Sequence, residues 1–357
     1  MRRALIVLCG SILATALGAG PALACGGLVS PNGTVALVRT TTMAAYHDGI
    51  EHYVTGFQFA GAGGEFGSIV PLPGIPSKVV KGGDWTLQRL EQEVNPPIFE
   101  RAVLSADGAA SAPKAVVLER KKIDALDVAI LKGGGFAVGR WATDHGFRLS
   151  PDAPEVLDFY AQRSPIFMAV KFNAKRAKER AQGLGRGDAI PVHLVIPTPR
   201  PWVPLRILAL GAQPTQPVDA DVFLLTDRAP AMLPLPRGAP GFGPAAPGLN
   251  LQSVQPASVT LLRDLRSDRG MQWVPTSGMW LSYLQLRARA SDLTYDLAVD
   301  ASGNTRPSPV DAGLTATGRS PLPNEGQSLL ALWVGLGALA LVFAVAAGQR
   351  RGARVAL

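Results

Sequence analysis

Any chemistry in this 357-residue chain must come from a short supply of reactive side chains: four histidines, two cysteines and 27 carboxylates. His47 and His52 flank an Asp48-Gly49 turn and have the outline of a metal pair. With no cysteine near and only two other histidines in the chain, they read instead as exposed polar residues at a hairpin end, and no metal site is expected. His193 lies in Ile190-Pro191-Val192-His193-Leu194-Val195-Ile196. Alternation there puts Ile190, Val192, Leu194 and Ile196 on one face and His193 on the wetter one, which argues against a catalytic base. Glu65, Asp84 and Asp144 stand beside glycine-rich loops and are the raw material for a paired-carboxylate hydrolase. The run Gly133-Gly134-Gly135-Phe136-Ala137-Val138-Gly139 has the outline of a dinucleotide-binding turn, but Val138 holds the third glycine position and a helix follows where a strand is needed. It reads as a plain turn, and no cofactor is expected. There is no G-x-S-x-G and no Cys-His pair apart from what Cys25 offers, so catalytic residues stay unassigned.

The two ends carry an address. Arg2 and Arg3, an apolar stretch over residues 4–17, and Ala22-Leu23-Ala24 before Cys25 form the pattern of a cleaved secretory signal, residues 1–24. Gly10, Ser11, Thr15, Gly18 and Gly20 interrupt the run, which argues against an uncleaved span. Cys9 leaves with the signal, so Cys25 has no partner within one mature chain. It reads as a free or intermolecularly paired thiol. Lipidation is the alternative, opposed by Ala22 and Leu23 where a lipobox wants Leu and then a small or β-branched residue.

At the other end, nineteen residues beginning at Leu329, with Trp333 and Phe343 among them, carry no charge, and Arg350, Arg351 and Arg354 follow. A helix of that length is about 28 Å long, close to the ~30 Å hydrocarbon core of a bilayer. The expectation is one transmembrane helix over 328–348 and a cytoplasmic tail over 349–357, a single-pass protein of the cell membrane with the bulk of the chain outside. Gly335, Gly337, Ala340, Ala344 and Gly348 have the spacing of close helix approach, and the oligomeric state stays open. Leu322-Pro323-Asn324-Glu325-Gly326 has the layout of a sortase signal, but Glu325 stands where that enzyme attacks a threonine, so the span is read as retained. Five of the 35 basic residues lie in the signal and tail, leaving 30 against 27 acidic groups in between. A net +3 outside, in place of the formal +8, speaks against nucleic acid as a partner.

The elements that must position these residues follow from periodicity. Residues 35–59 read as a hairpin about His47-Asp48-Gly49. Asp84 is expected to cap a helix with Leu87, Leu90 and Val94 on its apolar side. Strands are expected over 67–70, 115–118 and 125–131, then a helix with Val138, Trp141 and Ala142 inward, ended by Gly146, and another over 155–163. Residues 166–172 suit a strand buried on both faces, and the basic segment 175–186 a solvated helix or loop. Further strands are expected over 190–196, 205–210, 221–226 and 279–289, and the proline-rich 197–204 must be extended. Seven prolines and four glycines between 229 and 256 predict a long loop or flap. Residues 301–327 read as a stalk.

Cys25-Gly26-Gly27, Phe66-Gly67-Ser68-Ile69-Val70-Pro71-Leu72-Pro73, Val128-Ala129-Ile130-Leu131 on to His145-Gly146-Phe147, and Ile166-Phe167-Met168-Ala169-Val170-Lys171-Phe172 together resemble the bacterial DUF2330 family. So does the late stretch from Trp280 to Tyr295-Asp296-Leu297. The resemblance covers residues 25 to about 300 and implies location and architecture. It implies no catalytic residues, and with no cysteine between Leu28 and Asn32 no local disulfide. The expected fold is α+β: a mostly antiparallel exported domain over 25–300 with a few short helices, plus the transmembrane helix. The expected function is that of a non-enzymatic envelope protein that binds or scaffolds an envelope protein or polymer. The alternative is a cell-surface hydrolase using carboxylates.

Overall fold

The computed structural model of the protein describes residues 28–29, 35–61, 67–94, 115–179, 191–301 and 307–315. The signal residues Ala22, Ala24 and Cys25, the anchor residues Leu329, Trp333, Phe343, Arg350 and Arg351, and Glu65 lie outside them. Among the described residues no helix is long and apolar enough to cross a membrane.

After a two-residue strand β1 (Leu28–Val29), the hairpin forms as predicted: β2 (Val35–His47) and β3 (Ile50–Gly61) pair antiparallel from His47↔Ile50 outward. Asp48 and Gly49 take φ of 50° and 78°, the left-handed pair that a two-residue turn requires and that Gly supplies without strain. Next come β4 (Gly67–Pro71), β5 (Lys78–Lys81) and helix α1 (Thr86–Val94), then β6 (Val116–Ile123) and β7 (Leu126–Lys132). Helices α2 (Gly135–Asp144) and α3 (Ala153–Ala161) follow, with Val138, Trp141, Ala142, Val156 and Tyr160 buried; both are where the 3.6-residue period places them. Strand β8 (Ile166–Phe172) is buried on both faces, α4 (Ala174–Glu179) is short, and β9 (Val192–Pro197) carries the alternating run.

The second half differs more from expectation. Residues 205–210 form a 3₁₀ turn (Arg206–Ala209) after the short β10 (Trp202–Val203). The amides of Leu205 and Arg206 donate to the Asp296 carboxylate and that of Ile207 to the Tyr160 hydroxyl, so this backbone needs no strand partner. Strand β11 (Pro217–Thr226) is longer than predicted. Residues 229–256 are not a loop: they hold β12 (Ala231–Leu233), β13 (Leu235–Arg237) and the 12-residue β14 (Ala245–Pro256). Proline density misleads there because only Pro256 falls within the Leu249-to-Pro256 ladder, at its very end. Helix α5 (Val259–Ser267), capped by Ser258, β15 (Trp280–Arg289), a 3₁₀ turn (Ala290–Asp292) and β16 (Leu297–Asp300) complete the order. The ordered domain also runs past the expected boundary at 300. Ala312 is fully buried and its carbonyl accepts from the Asp296 amide, so residues 307–315 belong to the globule rather than the stalk.

The strands make three sheets. The largest has eight in the order β13-β14-β15-β11-β2-β3-β9-β5, antiparallel except at β11/β2 and β13/β14; the others are β1-β4-β8-β7-β6 and β10-β16-β12. This is the sheet-rich α+β fold with few short helices. One face of the large sheet, with Ala44, Tyr53, Leu194, Val222 and Leu224, joins a core that includes β7, β8, α2 and α3. The other face, with Met43, Ala45, Val54, Phe223 and Leu225, is covered by Leu87 and Leu90 of α1 and by Leu261, Leu262 and Leu265 of α5.

Asp84 does not cap α1. That role falls to Asp268, just past α5, whose carboxylate accepts from the Asp84 amide (3.0 Å), the Trp85 amide (3.1 Å) and the Thr86 hydroxyl (2.7 Å). Burial alone would raise this carboxyl; the hydrogen bonds from Thr86 and the backbone win and hold it below the usual carboxylate range. Gly83 permits the approach, since a Cβ there would lie 2.1 Å from an Asp268 oxygen. The Asp84 side chain instead pairs at the surface with Lys81 and Arg269. Asp268→Ala should therefore lower the unfolding free energy by about 2 kcal/mol in urea titrations, and Asp84→Ala by less than about 0.5 kcal/mol. The reverse ranking would return the cap to Asp84.

Candidate functional site

Two places gather polar groups in numbers. The first is one end of the large sheet. β2, β3 and β9 bring His47, His52 and His193 to the face that carries α1 and α5. His52 Nδ1 lies 3.0 Å from His193 Nε2, one ring donating to the other, and His52 stacks on Trp273 at 3.6 Å between centroids. His193 is 2% exposed, so the face expected to be wet is covered by the segment carrying Gly270 and Trp273. Burial, helped by His193 and His47, pushes His52 down to about 3; burial, helped by Lys78, pushes His193 down to about 4. The pair is a sealed, neutral element of the core. Glu51, one residue before His52, points to the opposite face and is fully buried. Neither of its oxygens completes a hydrogen bond, and the Trp202 amide approaches closely enough only to soften the effect of burial, which raises the carboxyl to about 8.

The second place surrounds Asp296. Its carboxylate is fully buried and accepts from the Tyr160 hydroxyl (2.7 Å), the Leu205 amide (2.7 Å), the Arg206 amide (3.0 Å) and the Arg163 guanidinium. The Arg163 guanidinium stacks against Phe159, Tyr160 and Trp202 at 4.4, 4.9 and 4.8 Å from their centroids, and donates to the Asp311 carbonyl at 2.6 Å. Burial, then the Asp296 charge, raises the Tyr160 hydroxyl, which keeps its proton and its donor role.

Arg163 and Phe159 of this cluster line an open groove of about 450 Å³. Its walls are Glu155, Asp158, Phe159 and Gln162 of α3 and its end, Arg206, Thr294, and the returning strip Gly313-Leu314-Thr315. Arg206 lies over the Phe159 ring at 4.1 Å and donates to both oxygens of Glu155 at 2.6 and 2.7 Å. The groove thus presents an aromatic edge, a fixed cation, carboxylates, an amide and a hydroxyl. A smaller internal cavity of about 20 Å³, lined by Thr40, Thr42, Tyr53, Thr55 and Ser68, has room for one water and no more.

Asp84 and Asp144, the described members of the sequence-derived carboxylate set, line neither cavity. Phe159, Gln162, Arg206 and Thr294 escaped notice because each sits in a stretch whose period points only to scaffold. The nearest signal was Tyr295-Asp296, part of the family-like late stretch.

A family model described as an uncharacterized protein conserved in bacteria (DUF2330) matches residues 19–230. The late stretch from Trp280 therefore lies beyond the matched region. Among solved structures, the chain is similar to the crystal structure of baculovirus P35, at 10% identity and a TM-score of 0.39 over 75% of this chain and 97% of that one. It is also similar to a mutated baculovirus P35 after caspase cleavage, at 9% identity and a TM-score of 0.36 over 73% and 99%. Scores this low establish neither a shared fold nor a shared activity. No curated protein matches the sequence.

Buried titratable groups on opposite faces give the stability a maximum in pH. The unfolded chain protonates its histidines below about 6.5 while folded His193 and His52 resist to about 4 and about 3, so stability is lost as pH falls through that window. Unfolded Glu51 ionises above 4.5 while the folded group holds its proton to about 8, so stability is lost as pH rises through that range. With two groups on the acid side and one on the alkaline, each sloping about 1.4 kcal/mol per pH unit, these groups favour the folded state most near pH 6.5. Urea unfolding across pH 4.5 to 8.5 should show this peak, and Glu51→Gln should abolish the alkaline fall and steepen the acid limb about twofold. An unchanged profile in that variant would contradict the assignment.

Proposed function

The chain belongs to the DUF2330 family of bacterial proteins, and from that premise we propose that it is an exported domain, held at the cell membrane by one C-terminal span, that binds an envelope protein or polymer without turning it over. The observation that carries this reading is the groove built on the Asp296–Arg163 cluster. Its recognition groups are held in place before any partner arrives, which lowers the ordering cost of binding. Phe159 and Arg206 are the anchors, because aromatic and arginine side chains concentrate interface energy. The strip Gly313-Leu314-Thr315 borders the groove.

The carboxylate-hydrolase alternative would have to use Glu155 and Asp158, which both line the groove. Both oxygens of Glu155 are engaged by Arg206, whereas a general acid needs a carboxyl free to take up and release a proton. Binding is therefore the better use of this geometry.

A photoreactive residue placed at Gln162 of the full chain in intact cells should capture a discrete partner, and one placed at Asp144 should not. Phe159→Ala or Arg206→Ala should weaken capture by about tenfold or more. Equal capture from both positions, or turnover of an envelope substrate lost in Glu155→Gln, would defeat the proposal.

A further inference from the structure

Outside the groove, one cluster of ligating atoms is used by neither core. We propose that the tip of the β2–β3 hairpin binds a divalent transition-metal ion of the Zn²⁺ class, with His47 Nε2 and the Asp48 carboxylate as ligands and Asp227 orienting the imidazole.

The strands dictate the assembly. The two-residue turn sets Asp48 immediately beyond His47, while β11 runs parallel to β2 with Thr226 opposite Tyr46, so Asp227 arrives beside His47. His47 Nδ1 lies 2.7 Å from Asp227 Oδ1. A carboxylate only accepts, so Nδ1 carries a proton, and in the neutral ring this leaves the lone pair on Nε2; a carboxylate behind the imidazole is the usual partner of a metal-ligating histidine. Nε2 is 3.5 Å from Asp48 Oδ2. That is too long for a good hydrogen bond. It matches the edge of a tetrahedral site, about 3.4 Å for bonds of about 2.1 Å. One ligand atom from each of the three residues lies within 4.8 Å of the others.

Charge supports the same reading. Two carboxylates converge on one imidazole, and among the described residues neither Asp48 nor Asp227 pairs with a lysine or arginine. Asp48 is 84% exposed, so an ion there keeps open positions for water or for an outside ligand. One nitrogen with oxygen donors suits Zn²⁺ or Co²⁺ better than Ca²⁺ or Mg²⁺, which take oxygen-only shells. The pair that sequence spacing singles out, His47 with His52, is not the one that converges, because His52 is turned to His193 and sealed under Trp273.

Titration of the purified full chain in detergent with Co²⁺, read by its visible absorption, and with Zn²⁺, read by calorimetry, tests this. One ion per chain is expected to bind saturably. His47→Gln and Asp48→Asn should each weaken binding at least tenfold, and Asp227→Asn about tenfold through lost orientation. His145→Gln, at the end of α2, should change nothing. Unaltered metal-free melting of the Asp48→Asn variant separates loss of a ligand from loss of the fold. Absence of saturable binding, full affinity in His47→Gln, or loss in His145→Gln would overturn the proposal.

Discussion

The buried ion pair of Asp296 and Arg163 is the constraint on which the second half of the molecule depends. A carboxylate wholly removed from water must have its charge and lone pairs satisfied by the fold. Here the donors come from the end of α3, from the turn at 205–206 and from Tyr160, while Arg163 also reaches Asp311 in the returning strip. Four separate pieces of chain are therefore fixed relative to one another by one side chain and its partner. Such a pair adds little net stability over a well-packed apolar substitute, but leaving either member alone is costly. Its effect is to specify a single arrangement, and the groove inherits that rigidity.

The large sheet plays a different part, as a septum between two cores. Glu51 and His52 are adjacent in sequence and on opposite faces, and each is held neutral by the core it enters, the acid by a raised and the base by a lowered proton affinity. Neutral burial lets polar side chains sit in a septum without counter-ions. The hairpin tip escapes this rule because Asp48 and Asp227 reach solvent, and charge collects there.

Local periodicity was enough to read the β2–β3 hairpin, β7, β8, α2 and α3, because each element's pattern matches a single buried surface. The misreadings share a cause: the deciding partner lies far along the chain. His193 is on the side opposite Val192 and Leu194, as alternation requires, yet is buried because residues 270–273 cover it. The cap of α1 comes from Asp268, more than 180 residues away. The proline-rich 229–256 holds a long strand because β15 offers a ladder to its proline-poor end. The groove was least legible of all, since Phe159, Arg206 and Thr294 meet only after α3, the 3₁₀ turn and the approach to β16 have been gathered around Asp296.

A double-mutant cycle on that pair tests the account most directly. Urea unfolding of Asp296→Asn, Arg163→Met and the double variant should give single losses of about 3–5 kcal/mol. The double loss should be no larger than the worse single, a coupling of at least about 3 kcal/mol. Losses that add to within about 0.5 kcal/mol would mean that the two residues act independently, and the groove would then need another explanation for its shape.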